Sequence, residues 1–306
     1  MASVTGTAPA ATAYLIDASM YVFRAWHSMP DTFFDVDGQP VNAVHGFAHF
    51  LLDFVERTHA THVVAAFDIA LTSSFRNAIY PAYKANRDPA PPQLKRQFQY
   101  CRDLAAAFGF TVLADATYEA DDLIGSVLAA TRRHGLHTVI VSADKDFGQL
   151  LDADTEQWDY ARGQRWNAAG VPARLGVQAR QVVDFLALMG DAIDNIPGVP
   201  GIGAKSAAAL LAHFGDLDTL LARIDEVPFL RVRGAKSLAE KLRAHADMAR
   251  LSQRLARIAR DAPIPATPAG LVRHSADAGV LDALCARLRI APFTRARAHQ
   301  LLQAEP

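Results

Sequence analysis

The chain has 306 residues, 51% of them hydrophobic, with 31 Lys and Arg against 32 Asp and Glu for a net charge of −1. That is enough apolar material for one large domain or two smaller ones with a sizeable core, while no apolar run is long enough to span a bilayer. Near-neutrality argues against a nucleic-acid partner only by sum: much of the negative charge sits in the nine carboxylates singled out below, and the remainder is basic.

Residues 1–12 lack the basic and apolar regions of a signal peptide and are expected as a disordered lead-in to a cytoplasmic protein. Cys101 and Cys285 have no CxxC spacing, which points to buried thiols rather than a disulfide or a zinc site. Tyr14-Leu15-Ile16 reads as a strand ending in Asp17, followed by a turn towards Arg24. Function collects at the carboxyl ends of strands in open α/β sheets, so Asp17 stands where a site residue would; a helix N-cap is the other reading. Residues 41–57 form an amphipathic pattern with Val44, Phe47, Leu51, Phe54 and Val55 on one stripe. His62 to Phe67 is a second strand, and it too ends in a carboxylate, Asp68. Ser74-Phe75-Arg76 and then Tyr80 to Arg87 interleave cations with aromatics, a composition suited to phosphate contact and base stacking. The prolines between Asp88 and Pro92 break any helix there, so this stretch is expected to leave the core.

A helix over 94–108, closed by Gly109, leads to a third strand from Phe110 to Leu113. Next comes Tyr118-Glu119-Ala120-Asp121-Asp122, three carboxylates at the mouth of a helix that runs to Gly135. The helix dipole favours acids there, so capping and a site wall are both open readings. Thr138 to Val141 is a fourth strand, ending in Ser142-Ala143-Asp144-Lys145-Asp146, where two acids are close enough to share a cation. Residues 158–166 read as a hairpin or irregular segment. A helix over 178–189 delivers Asp191 and Asp194, spaced to face one way on a helical turn. Ile196 to Lys205 follows, rich in glycine and proline and opening an Ala-rich helix; its backbone N–H groups and Lys205 suit an anion. The order of Gly198, Gly201 and Gly203 fits neither a P-loop nor a dinucleotide fingerprint. It resembles a helix-hairpin-helix element that grips a nucleic-acid backbone without reading sequence. Beyond Asp216 the chain is helical, with Arg231, Arg233, Lys236, Lys241 and Arg243 either backbone contacts or a solvated face. Pro263, Pro265 and Pro268 mark an extended connector, and a helical pattern resumes over 281–288.

Alternating strands and helices predict an α/β fold with a parallel-rich central sheet flanked by helices. Asp17, Asp68, Glu119, Asp121, Asp122, Asp144, Asp146, Asp191 and Asp194 come from strand ends and helix starts that such a sheet brings to one edge. So many like charges share a pocket only with cations. All-oxygen ligation selects Mg2+ or Mn2+ over zinc, and two ions about 4 Å apart suit phosphodiester hydrolysis.

Together these blocks, in this order from about Tyr14 to Pro263, resemble the motifs of the 5′-nuclease (flap endonuclease) family, in the form found in the 5′-3′ exonuclease domain of bacterial DNA polymerase I. The resemblance implies a catalytic α/β domain over 13–185 with a helical arch near 72–95, a helix-hairpin-helix-type DNA-binding subdomain over 186–290 and a tail over 291–306. It implies that Asp17, Asp68, Glu119, Asp121 and Asp122 build one metal site and Asp144, Asp146, Asp191 and Asp194 another, with Asp122 and Asp144 taking part in catalysis. It implies that Arg76, Tyr83, Lys84 and Arg87 line the arch, with Lys84 and Arg76 at the scissile phosphate, and that Arg24 contacts DNA. Gly198, Gly201, Gly203 and Lys205 would bind duplex, with a potassium ion at the 198–203 loop. The expected protein is a stand-alone, monomeric Mg2+- or Mn2+-dependent 5′-3′ exonuclease and flap endonuclease. Its partners would be DNA with a 5′ flap, nick or single-stranded 5′ end, in cooperation with a DNA polymerase and without a membrane. A PIN-type RNA endonuclease and a non-catalytic structure-specific DNA-binding protein are the alternatives. Within the acidic cluster, Glu119 and Asp122 are expected to face an ion directly and Asp121 to act through water.

Overall fold

A computed structural model describes residues 11–69, 73–264 and 267–303. Four strands form on apolar stretches, β1 (Thr12–Asp17), β2 (His62–Asp68), β3 (Thr111–Asp115) and β4 (His137–Val141), whereas β5 (Thr155–Asp159) and β6 (Gln164–Trp166) are mostly polar in sequence. The chain divides into two units, one made of Met1–Leu71, Pro89–Ser142 and Ala259–Pro306, the other of Thr72–Asp88 and Ala143–Ile258. The expected lead-in falls almost entirely outside the described residues.

In the first unit, four parallel strands lie in the order β3-β2-β1-β4, with Asp17 opposite Ala66, Ile16 opposite Val141 and Asp68 opposite Asp115. Leu15, Ile16, Val63, Val64, Val139 and Ile140 are fully buried, as expected of parallel strands covered on both faces. The Asn42–Thr58 helix supplies Phe47 and Phe54, which meet Phe67 and Tyr14 edge-on at 5.9 and 5.3 Å. Burying each such ring stabilises the unit by about 2–3 kcal/mol. This helix has no side-chain cap of its own. Gln97, from the Pro92–Ala107 helix, replaces it by accepting from Ala43 N at 2.7 Å and Val44 N at 3.2 Å.

Two expectations change here. Instead of a turn after Asp17, the chain forms a helix, Ala18–Ser28, because the Asp17 carboxylate caps it by accepting from Met20 N at 3.3 Å. Its aromatic-rich sequence has weak helix propensity, which hid it. The tail also contains a helix, Pro292–Gln303, fixed by ion pairs from Arg297 to Asp53 and Glu56 rather than by an apolar stripe.

The second unit holds the antiparallel β5–β6 ribbon, which confirms the hairpin over 158–166, and the helices Val182–Met189, Ala204–Phe214, Ala235–Ala244 and Ala246–Ala256. Buried polar side chains tie its loops. Gln181 Nε2 donates to Leu211 O and Gly215 O, both at 2.8 Å, and Asp184 accepts from Leu217 N and Gln253 Nε2. Asp191 to Asn195 is a tight hairpin turn rather than a helical turn, closed by Asp191 N to Ile196 O at 2.9 Å and Ile196 N to Asp191 O at 2.8 Å. The reason is local: Gly190, at φ +74°, ends the preceding helix and leaves in a direction that no further helical turn can follow. In the stretch expected as an arch, Phe75–Ile79 is a short helix and residues 80–87 are turns; Thr72 lies outside the described residues.

Candidate functional site

In the first unit the acids mark the carboxyl edge of the parallel sheet, and main-chain geometry fixes each one. Asp17 ends β1 and accepts from Ser142 Oγ, just past the end of β4, at 2.9 Å. Asp68 ends β2 and accepts from Ala120 N at 2.7 Å, tying that strand to the first turn of the Ala120–Thr131 helix. Asp122 is 0% exposed; Oδ2 accepts from Glu119 N at 3.1 Å and Oδ1 from Ala259 N at 2.8 Å. Asp121 is half-buried and accepts from Asp122 N at 2.9 Å. Each Asp122 oxygen thus holds one backbone donor, as does an Asp121 oxygen, and Asp121 is the more exposed of the two.

The second unit brings Asp144, Asp146, Asp191 and Asp194 into one electrostatic cluster. Asp144 starts the 145–150 turn by accepting from Asp146 N at 3.0 Å. Lys145, to which the sequence assigned no role, places Nζ 2.5 Å from Asp191 Oδ2 and 3.6 Å from Asp146 Oδ1. Burial alone would lower the pKa of Lys145, but the charges of Asp146, Asp191 and Asp144 raise it. Burial likewise works to raise Asp191, yet the Lys145 ammonium and the Ile193 N–H hold it below the usual carboxylate range. Asp146 goes the other way: burial, then the charge of Asp144, with Asp194 and Asp191 adding, push it up to about 7 against the pull of Lys145. The signal that could have found Lys145 is its place between two acids.

Among the described residues, no three His, Cys, Asp or Glu side chains are gathered closely enough to hold an ion. Their oxygens lie against backbone N–H groups and cationic side chains. The donor set nevertheless fits a divalent cation in the second unit. Asp146 Oδ1 is buried with no hydrogen-bond partner among the described residues, and the Lys145 ammonium lies among more carboxylates than it can neutralise.

The arch segment folds onto the Asp191–Asn195 turn. Lys84 N donates to Asp194 O at 3.0 Å, Asn86 Nδ2 to Ala192 O at 2.7 Å and Asn195 Nδ2 to Ala82 O at 2.6 Å. Lys84 and Asn195 both take left-handed backbone, φ +53° and +55°, which these contacts over-determine. Lys84 Nζ lies 3.8 Å from Asp194 Oδ2, and Arg87 pairs with the other oxygen of the same carboxylate. Two residues do not meet expectation. Tyr83 is 4% exposed, with its hydroxyl 3.4 Å from Asp194, so it offers no face for stacking a base. Arg76 is 1% exposed and donates to Leu255 O at 2.9 Å and Arg257 O at 3.0 Å, so it clamps the second unit rather than presenting its charge to a phosphate.

In the glycine-rich loop, Gly198 is buried and its N–H donates to Ser252 Oγ at 3.0 Å, a structural role in place of the expected DNA contact. Gly201, Gly203 and Lys205 are exposed, and Gly203 caps the Ala204–Phe214 helix without a side chain, leaving first-turn N–H groups accessible. Arg24 lies on the exposed face of the Ala18–Ser28 helix in the first unit.

Two family models match consecutive parts of the chain: the 5′-3′ exonuclease N-terminal resolvase-like domain over residues 12–176, and the 5′-3′ exonuclease C-terminal SAM fold over residues 177–279. DNA polymerase I of Rhizobium leguminosarum is 36% identical over 258 residues, and that of Bacillus caldotenax 38% over 254. Each alignment covers 82% of this chain but only 25% and 28% of the relative, so the chain spans about a quarter of their length. Among solved structures, T5 5′-exonuclease with bound divalent metal ions (zinc) superposes with a TM-score of 0.66 at 19% identity, covering 95% of this chain and 98% of that one. The catalytic core of Rad2 in complex with DNA substrate gives 0.61 at 16% identity, covering 96% and 91%. These structural likenesses establish the fold. With both family models accounting for residues 12 to 279, the chain belongs to the 5′-3′ exonuclease family.

Proposed function

We propose that this chain hydrolyses DNA phosphodiesters as a divalent-metal-dependent 5′-3′ exonuclease and 5′-flap endonuclease. The observation that carries the reading is Asp146, a buried carboxylate with one oxygen that no hydrogen bond satisfies, pushed up to about 7 by burial and then by its carboxylate neighbours. Asp144, Asp146, Asp191 and Asp194 would hold one ion. Asp17, Asp68, Glu119, Asp121 and Asp122 would hold another, with Asp122 also accepting from Glu119 N. The all-oxygen set favours Mg2+ or Mn2+. Bound there, the ions supply Lewis-acid stabilisation of the phosphate and a more acidic water.

The chain's own residues do the rest. Lys84 and Arg87 exchange Asp194 for the scissile phosphate, placing positive charge where negative charge develops. Gly201, Gly203 and Lys205 receive a duplex backbone phosphate at a helix N-terminus. A potassium ion at the 198–203 loop belongs to the same proposal; in that loop Gly201 O accepts from Lys241 Nζ at 3.2 Å. The substrates are flaps, nicks and single-stranded 5′ ends, met by a monomer in the cytoplasm alongside a DNA polymerase. No described helix is long and apolar enough to cross a membrane.

The test is cleavage of 5′-labelled flap, nicked and single-stranded DNA with Mg2+ or Mn2+, with products sized. Short 5′ products are expected, and Asp144→Asn should slow their release by about a thousandfold. An intact flap with either ion, or Asp144→Asn cutting like the parent, would sink the reading. Preference for structured RNA would replace the substrate.

A further inference from the structure

The second unit carries another exposed cationic segment that the roles above leave unused. The chain leaves a short turn, Ile224–Phe229, and runs through Arg231-Val232-Arg233-Gly234 into the helix Ala235–Ala244. Phe229 is 86% exposed, and Arg231, Arg233 and Lys236 are all exposed. Two nearby acids are already engaged, Glu226 by Arg223 at 2.6 Å and Asp225 by Arg243, while Glu240, one turn on from Lys236, makes no ion pair with it. Among the described residues no carboxylate lies within ion-pair distance of Arg231, Arg233 or Lys236. Surface charges that serve only solubility are normally interspersed with the opposite sign. Three unmatched cations within six residues, beside a bare aromatic ring, form instead the composition that meets nucleic acid, with phosphates for the cations and a base or sugar face for the ring.

Position strengthens the case. Lys241 Nζ donates to Gly201 O at 3.2 Å, so the helix that Lys236 helps to open runs beside the exposed Gly201–Lys205 loop. Lys236 lies five residues before Lys241, about 8 Å along the axis, a step on the scale of the grooves of B-DNA. The same four residues, Gly-Ala-Lys-Ser, open both helices, at 203–206 and 234–237.

We propose that residues 229–237 are a second, sequence-independent grip on duplex DNA, with Arg231, Arg233 and Lys236 on backbone phosphates and Phe229 against a base or sugar. It rests on the DNA reading above and extends it along the duplex.

The experiment measures anisotropy of labelled flap DNA with a long duplex arm, in EDTA, over a salt series, using the full chain. Arg231→Ala/Arg233→Ala/Lys236→Ala should weaken binding about tenfold or more and flatten the log K against log salt slope by about 2–3, whatever the duplex sequence. Phe229→Ala should weaken binding about fivefold or more with an unchanged slope. Arg223→Ala removes a cation already paired with Glu226 and should keep the parental slope. A triple variant with parental affinity and slope, in a parent that binds and cuts DNA, overturns this inference alone and leaves a solvated face. An equal loss from Arg223→Ala overturns it as a general charge effect. If the parent shows no salt-dependent binding to DNA, the DNA reading falls and takes this one with it.

Discussion

Lys145 Nζ lies 2.5 Å from Asp191 Oδ2, so the cation written between two acids in the sequence neutralises a third, 46 residues further along. That ammonium lowers the charge of the cluster and also repels any divalent ion brought to it. Lys145→Gln should therefore tighten Mn2+ binding by roughly tenfold, equivalent to about 1.4 kcal/mol, while lowering the melting temperature of the chelated protein. Titration calorimetry with Mn2+ and melts in EDTA read the two effects. Weaker Mn2+ binding would make Lys145 a supporting ligand partner instead of a competitor.

Lys84 is expected to act on chemistry more than on binding. Its ammonium is half-buried, 3.8 Å from Asp194 and 5.1 Å from the Tyr83 ring centroid, on a backbone fixed by the Asp194 carbonyl. Lys84→Ala should cut single-turnover cleavage by about a hundredfold to a thousandfold while changing substrate affinity only slightly. A loss confined to affinity would place Lys84 in DNA capture alone.

Arg76 is expected to behave as a structural residue. Its guanidinium satisfies the Leu255 and Arg257 carbonyls, and Arg76→Ala leaves both without that donor. The cost is about 3–5 kcal/mol, read as a lowered urea midpoint. Near-parental stability with a large fall in turnover would return Arg76 to the phosphate.

The parallel strands and the acids at their ends were legible because both signals are local: apolar runs bounded by carboxylates, at the edge where open sheets collect function. How each acid is held was not legible: Asp122 and Asp121 are neighbours in sequence, and the donor that meets Asp122 Oδ1 is the backbone of Ala259, 137 residues further on. Arg76 and Tyr83 were misplaced for a similar reason, since interleaved cations and aromatics look alike whether they face DNA or a buried carbonyl. The helix after Asp17 was hidden by weak propensity and revealed by its cap.

Gly198 and Gly203 should respond unequally to the same change. Gly198 sits at φ +63°, and a Cβ there would stand 2.3 Å from Gly190 N, a main-chain atom that cannot give way. Gly203 has φ −98° and open space around it. Gly198→Ala should destabilise by about 2–4 kcal/mol, whereas Gly203→Ala should stay within about 0.5 kcal/mol. Calorimetric melts of the two variants check this; equal stability would mean the Gly190–Gly198 approach is looser than the structure has it.

His45 gives the first unit a pH dependence whose sign follows from burial. Its Nε2 donates to Leu288 O at 3.0 Å, and its ring packs on Phe33 with centroids 4.4 Å apart. Burial lowers its pKa, the Leu288 carbonyl partly opposes that, and the nearby His49 adds to the lowering, for a net downward shift. In the unfolded chain the same ring titrates near pH 6.5. Between the folded value and about 6.5 the unfolded state therefore binds more protons, and stability falls as pH falls through that window. Above about 6.5 both states are neutral and this contribution vanishes. His45→Gln keeps a donor for Leu288 but cannot take up a proton, so its urea midpoint should fall less than the parent's between about pH 8 and about pH 5.5. Equal falls in the two proteins would show that His45 is free to protonate in the folded state.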